Sequence, residues 1–147
     1  MKIQNLEVLK NKQEMNGFVL AREVSKHSDY DRIHIGAVII KKKRVLGVGF
    51  NRHKTHPKQK KFNYFNAIRR KKECGFLHAE VNALNHVDNI EDCKGATILV
   101  YRETLNGDIG MCRPCPACMK AIKDAGIRTV IYTTPDGVAR ETLVVSE

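Results

Sequence analysis

The chain has 147 residues, of which 42% are hydrophobic and 29% charged, and its formal net charge is +10. This length suits one domain with a core of its own, and the composition excludes a disordered or fibrous chain. No apolar run approaches the roughly 18 residues of a membrane span, and the first residues lack the apolar core of a signal peptide. We therefore expect a single cytoplasmic domain over residues 1–147 that makes no membrane contact.

The positive charge is concentrated in one segment. From Arg52 to Lys72 there are nine Lys or Arg residues and no Asp or Glu, and three aromatic residues are interleaved with them: Phe62, Tyr64 and Phe65. Basic charge attracts phosphate, and aromatic rings can stack on bases. We interpret residues 52–77 as a basic loop insertion. It is either a surface for single-stranded nucleic acid or a solvated loop that aids solubility.

The first half of the chain predicts a helical segment followed by a β-hairpin. Apolar residues recur at helical spacing over residues 1–28, at Ile3, Leu6, Leu9, Phe18, Ala21 and Val24. This helical segment is either continuous or broken near Asn16-Gly17. The Ile- and Val-rich stretch 33–40 predicts a buried strand, and residues 45–50 predict its hairpin partner.

The second half predicts two helices, each followed by a strand. The helices are expected at 78–87 and 116–125, the second with Pro116 in its first turn and Gly126 just beyond its end. The strands are expected at 97–101 and 127–133, and the tail after Gly137 forms a strand or finishes a helix around residues 143–145. Two β-α-β units favour a three-layer α/β/α sandwich around a mixed central sheet of about five strands.

The five cysteines point to a metal site rather than to a disulfide framework. Their number is odd, and three of them lie between Cys112 and Cys118. Cys115 and Cys118 are spaced i, i+3 in the first turn of a predicted helix, so both thiols face one side and both gain from the helix dipole as thiolates. His78, at the start of the preceding helix, supplies a third ligand. Zn²⁺ with three protein ligands keeps a fourth position for water, as in catalytic sites.

Glu80 distinguishes a hydrolytic centre from a structural zinc site. It follows His78 by two residues, which is too close for a further ligand in the same helical turn but suitable for a group beside the metal-bound water. Zinc lowers the pKa of that water to about 7, and a carboxylate there can move protons between the water and a substrate nitrogen. We therefore assign Glu80 as the catalytic acid–base residue.

These residues resemble a known signature. His78-Ala79-Glu80, followed by Pro114-Cys115-Pro116-Ala117-Cys118, is similar to the H-x-E and P-C-x-x-C motifs of the cytidine deaminase superfamily. The resemblance runs from about residue 35 to residue 134 and looks closest to the deoxycytidylate-type, virus- and phage-like members. It implies a cytidine deaminase-like fold and attack on C4 of cytosine, which gives uracil and ammonia.

The resemblance also implies substrate contacts and an assembly. Asn51 would contact the nucleotide, and the backbone around Ala79 would contact the base. Arg113, beside the zinc motif, and Arg52, beside Asn51, are candidates for a bidentate grip on a 5′-phosphate; the alternative for each is a solvated surface residue. Because relatives are commonly dimers or hexamers, we expect a homo-oligomer.

Three functions are compatible with the sequence. The first is zinc-dependent hydrolytic deamination of a free cytosine nucleotide of the deoxycytidylate or cytidylate type. The second is deamination of cytosine or adenine within single-stranded DNA or RNA, which the basic segment favours. The third is a non-catalytic, zinc-stapled nucleic-acid-binding module, against which Glu80 argues.

Overall fold

The fold is described from a computed structural model, over residues 6–29, 33–52 and 77–143. Within these ranges the chain forms three α-helices, five strands and two short 3-10 turns (Leu6–Val8 and Ile90–Cys93). The helices are α1 (Lys12–Ser25), α2 (Ala79–Asn85) and α3 (Pro116–Asp124); the strands are β1 (Ile33–Lys41), β2 (Arg44–Phe50), β3 (Thr97–Thr104), β4 (Thr129–Thr134) and β5 (Gly137–Thr142). None of the described helices has the length and apolar content to span a membrane.

The five strands form one mixed sheet in the order β2-β1-β3-β4-β5. β1 pairs antiparallel with β2 and β3, β3 pairs parallel with β4, and β4 pairs antiparallel with β5. The helical crossover between β3 and β4 thus joins parallel neighbours, as expected for a β-α-β unit. β2 and β3 also run in one direction, with β1 between them. The predicted α/β fold with a mixed sheet of about five strands is confirmed.

Two predicted elements have different bounds in the structure. The predicted N-terminal helical segment is interrupted between the 3-10 turn Leu6–Val8 and helix α1, which begins at Lys12. It is not broken at Asn16-Gly17, where the glycine side of α1 packs against Leu99 and Ile40. The last described strand spans Gly137–Thr142, and its hydrogen-bonded register with β4 runs from Thr129–Thr142 to Thr134–Gly137. The element predicted around residues 143–145 lies, beyond Leu143, outside the described residues.

The two faces of the sheet carry separate apolar cores. On one face, α1 packs on alternate residues of β1, β3 and β4, and Phe18 meets Tyr101 edge to face with ring centroids 5.5 Å apart. On the other face, α2 and α3 cover the residues of opposite parity: Ala37, Ile39, Ile98, Val100, Val130 and Tyr132. The two helices that carry the zinc-binding signature therefore lie side by side on one face.

Helix α2 lies unusually close to β2 because two strand positions lack side chains. A Cβ atom at Gly49 would collide with the backbone of Ala79 and Ala83, and one at Gly47 would collide with the Ala83 carbonyl. Asn82 adds a hydrogen bond from its Nδ2 to the Phe50 carbonyl oxygen (3.0 Å). Strand β2 thereby fixes the position of the helix that begins after His78.

Candidate active site and metal centre

The three expected metal ligands all lie at helix starts. His78 is the N-cap of α2, and Cys115 is the N-cap of α3. Pro116 follows as the first helical residue, where its missing N–H is not needed. The Cys115 thiol accepts a hydrogen bond from the backbone N–H of Cys118, one turn further on. The i, i+3 spacing therefore brings both sulfurs to the same helix end, as the sequence predicts.

The ligand atoms have the separation that a zinc ion needs. Nδ1 of His78 lies 3.1 Å from Sγ of Cys118 and 3.6 Å from Sγ of Cys115, and all three ligand atoms lie within 4.8 Å of one another. Zn–N and Zn–S bonds in a tetrahedral site place such atoms roughly 3.5 Å apart. One imidazole and two thiols also form a donor set that zinc prefers. The residues present therefore fit zinc.

Glu80 lies beside this cluster in the first turn of α2. Its side chain is buried, with 6% of the residue exposed. Burial raises the pKa of the Glu80 carboxyl above its usual range, while the neighbouring His78 acts in the opposite direction. A buried carboxyl group that touches the Cys118 side chain is unusual in a structural zinc site and is suited to proton transfer.

A cavity of about 260 Å³ opens beside the cluster. Its lining combines metal ligands, charged groups and apolar walls: Ile33, Ile35, Asn51, Leu77, His78, Ala79, Glu80, Val100, Arg102, Met111, Cys112, Arg113 and Cys115. The expected ligands His78 and Cys115 share this cavity with Glu80 and three of the four expected substrate-contacting residues. A pocket of this kind has apolar walls with a few convergent polar groups, as small-molecule sites do.

Asn51 lies in the cavity wall, where its amide group also holds the sheet together. Its Oδ1 accepts a hydrogen bond from the Ile35 N–H, and its Nδ2 donates to the Ile33 carbonyl oxygen, both at 2.9 Å. These bonds continue the pairing of β2 with β1 beyond Phe50. An amide has a second N–H and further acceptor capacity, so a substrate contact remains compatible with this anchoring.

The two arginines expected to grip phosphate differ in position. Arg113 lines the cavity, but its Nε and Nη2 donate to both carboxylate oxygens of Glu141 (2.6 and 3.1 Å). Glu141 also accepts from the Tyr132 hydroxyl (2.7 Å). Arg52 is absent from the described lining, and its guanidinium lies 5.7 Å from the Phe50 ring centroid. The rest of the Arg52–Lys72 segment lies outside the described residues.

Two cavity residues escaped the sequence interpretation. Arg102 lies on the same face of β3 as the buried residues Ile98 and Val100. A charged residue at this position of an otherwise apolar face is the sequence feature that could have indicated a functional role. Cys112 is buried, and its Sγ approaches the Val100 carbonyl oxygen (3.1 Å) and Thr133 Oγ1 (3.0 Å). Burial raises the pKa of the Cys112 thiol to about 12.

Comparison with known proteins identifies the same family that the sequence motifs resemble. The family model for the cytidine and deoxycytidylate deaminase zinc-binding region matches residues 11–134. The deoxycytidylate deaminase of Mycobacterium phage D29 is 33% identical over 126 residues, which cover 77% of this chain and 88% of the phage protein.

Solved structures with the same fold include two deaminases. The dCMP deaminase of cyanophage S-TIM5 in its apo form superposes with a TM-score of 0.58 at 23% identity, over 82% of this chain and 81% of that one. The cytidine deaminase of Burkholderia pseudomallei also gives a TM-score of 0.58, at 18% identity, over 87% and 91% of the two chains. At these identities, the likeness concerns the fold.

Proposed function

Because the chain belongs to the cytidine and deoxycytidylate deaminase family, and is therefore a hydrolytic deaminase, we propose that it converts deoxycytidylate to deoxyuridylate and ammonia. In this proposal His78, Cys115 and Cys118 hold Zn²⁺, and Glu80 is the acid–base group. Cytidylate, which differs by one hydroxyl group, is the alternative free nucleotide.

The observation that carries the proposal is the shared cavity. Two members of the one-His, two-Cys cluster, His78 and Cys115, line it together with the buried carboxyl group of Glu80. A structural zinc site needs only the ligand cluster, whereas a hydrolytic site also needs a proton carrier and space for a substrate. This combination supports catalysis over a purely structural zinc site.

The chain's own residues have distinct parts in the reaction. Zinc in this site would supply a Lewis acid that lowers the pKa of water. Glu80 would accept a proton from the water that attacks C4, deliver it to the ring nitrogen, and then assist the departure of ammonia. The apolar walls from Ile35, Leu77 and Val100 would exclude bulk water from the base. Asn51 and the backbone at Ala79 would orient the nucleotide and the base.

The nucleotide substrate is supported by the phage relative. The Mycobacterium phage D29 protein, which is similar over most of both chains, is a deoxycytidylate deaminase. The polymer alternative depends on the charge of the Arg52–Lys72 segment, whose remaining residues lie outside the described ranges. The homo-oligomer implied by the resemblance stays a prediction.

A substrate panel tests the proposal. Zinc-loaded protein is incubated separately with deoxycytidylate, cytidylate, deoxycytidine, and cytosine- and adenine-containing single strands, and ammonia release and base conversion are measured. We expect deoxycytidylate to give the highest kcat/KM. If a single strand is deaminated and none of the free nucleotides is, the polymer function replaces the proposal.

The role of Glu80 has its own test. The Glu80→Gln variant keeps the shape of the side chain but removes its ability to carry the proton, so kcat should fall by about 100- to 10,000-fold with zinc content unchanged. Glu91→Gln, at an exposed carboxylate paired with Lys94, is the matched control and should behave as wild type. Retained activity in Glu80→Gln, or loss of its zinc, contradicts the assignment.

A further inference from the structure

The cavity contains two guanidinium groups in different states. Both oxygens of Glu141 occupy the Nε and Nη2 positions of Arg113. Arg102 instead donates from Nη1 to the Met111 carbonyl oxygen (2.9 Å), and its Nε is buried without an acceptor among the described residues. No described carboxylate forms an ion pair with Arg102. Arg102 therefore lines the cavity with a positive charge that no described carboxylate neutralises, whereas Glu141 neutralises the charge of Arg113.

Arg102 is held in place by the segment that follows β3. Its backbone N–H donates to Thr133 Oγ1 (3.1 Å), and that hydroxyl donates to the Gly110 carbonyl oxygen (2.8 Å). The side chain passes over Gly110, where an added Cβ would lie 3.2 Å from Nε and 3.3 Å from Cδ. Ordering an arginine side chain normally costs conformational entropy, and here the fold has already ordered it.

The charge of Arg102 indicates its ligand. A guanidinium group in a cavity wall forms charge-assisted hydrogen bonds with the anionic oxygens of a phosphate or carboxylate. A pyrimidine base offers no anionic oxygen. These properties favour an oxoanion on the substrate.

We propose that Arg102 binds the 5′-phosphate of the nucleotide and so determines selectivity for nucleotide over nucleoside. This inference rests on the proposed function, because it assigns the substrate's phosphate to a residue of the same cavity. Arg113 is then a wall residue whose charge is neutralised by Glu141, rather than the main phosphate ligand.

The test compares Arg102→Gln with wild type on deoxycytidylate and on deoxycytidine. Loss of a charged contact should lower kcat/KM for deoxycytidylate by about 100-fold, mostly through KM. The value for deoxycytidine should change by less than about threefold, since that substrate has no phosphate. Arg102→Lys should recover part of the loss, because it restores the charge without the fork. Arg128→Gln, at an exposed position, is the matched control.

Binding supplies a readout that is independent of turnover. Calorimetry with deoxyuridylate should show a Kd raised by a similar factor in Arg102→Gln, while deoxyuridine binding stays as in wild type. Equal losses for nucleotide and nucleoside, in turnover or in binding, would overturn the proposal and assign Arg102 to the base or to the fold. Unchanged deoxyuridylate affinity would also overturn it.

The same measurements separate this inference from the proposed function. Absence of deoxycytidylate turnover in wild type counts against the proposed function alone. The deoxyuridylate titration of wild type and Arg102→Gln then still decides whether Arg102 binds phosphate. If Arg102→Gln fails to fold, Arg102→Lys carries the comparison, with a smaller expected loss of about 10-fold.

Discussion

On one face of the sheet a single 14-residue helix covers an apolar layer, whereas on the other two helices of seven and nine residues begin beside a cavity. The polar groups on the first face are paired within the protein. Arg140 reaches Glu14 at 2.6 Å, and Glu14 also accepts from the Lys10 N–H. On the second face, the metal-ligand cluster, Glu80 and Arg102 converge on the cavity.

The difference indicates that the two faces have separate roles. Burial on the α1 face stabilises the fold, because its polar groups find partners inside the chain. The cavity face brings His78, Cys115, Glu80 and Arg102 to the lining of one pocket, where the proposed function uses them. We therefore expect substitutions on the α1 face to change the free energy of unfolding, and those on the cavity face to change activity.

The largest expected effect is the loss of the metal site. Cys118→Ala removes one of the proposed ligands, which is buried, so zinc content should fall from about one ion per chain to near zero, and activity should fall on the order of 1,000-fold or more. Zinc is measured by atomic emission on the dialysed protein. Cys93→Ala, at another buried thiol, should keep both zinc and activity. A Cys118→Ala protein with full zinc content would show that the ligand set is wrong.

An intermediate effect is expected where β2 positions α2. In Gly49→Ala the new methyl group collides with the backbone of Ala79 and Ala83, so the helix must move. The free energy of unfolding should fall by about 2 kcal/mol, and kcat/KM should fall with it because Glu80 shifts. Urea denaturation and steady-state kinetics measure the two effects.

Gly95→Ala is the matched control for this substitution. Its Cβ meets nothing within 4 Å, and only the positive φ of 75° opposes it. It should cost about 1 kcal/mol and leave kcat/KM unchanged. If Gly49→Ala behaved like this control, the close approach of α2 to β2 would not control the site.

The smallest effect tests the α1 face. Glu14→Gln weakens the pair with Arg140, whose side chains are 7% and 22% exposed, so the free energy of unfolding should fall by about 1.5 kcal/mol. Activity should be unchanged. Glu23→Gln breaks the exposed pair with Lys26 and should cost less than about 0.5 kcal/mol. A loss of kcat/KM in Glu14→Gln would contradict the assignment of stability to one face and activity to the other.

The convergence of His78, Cys115 and Cys118 could be predicted because its determinants are local. The spacing of Cys115 and Cys118 fixes both thiols at one helix start, and the position of His78 before α2 follows from the apolar pattern of that helix. The rule that crossover connections join parallel strands then brings the two helix starts to one edge of the sheet. Each step needs only neighbouring residues and general topology.

The rest of the site depends on pairing between distant segments. The position of Arg102 follows from its register opposite Ile35 and from the bonds of Thr133, some 31 residues further on. The capture of the Asn51 amide by the β1 backbone similarly depends on how β2 ends. Periodicity within one segment does not encode such register, so these contacts became visible only in three dimensions.

The pairing of Arg52 with Leu77 has a consequence for the history of the chain. These two residues exchange two backbone hydrogen bonds, of 2.9 and 3.0 Å, so the two ends of the intervening sequence lie at adjacent positions. The entropy of closing a loop grows only by about 0.6 kcal/mol for each doubling of its length. Residues could therefore be gained or lost at this junction over evolution without re-registering the sheet. The same junction is a position at which the intervening sequence can be shortened or replaced by that of a homologue.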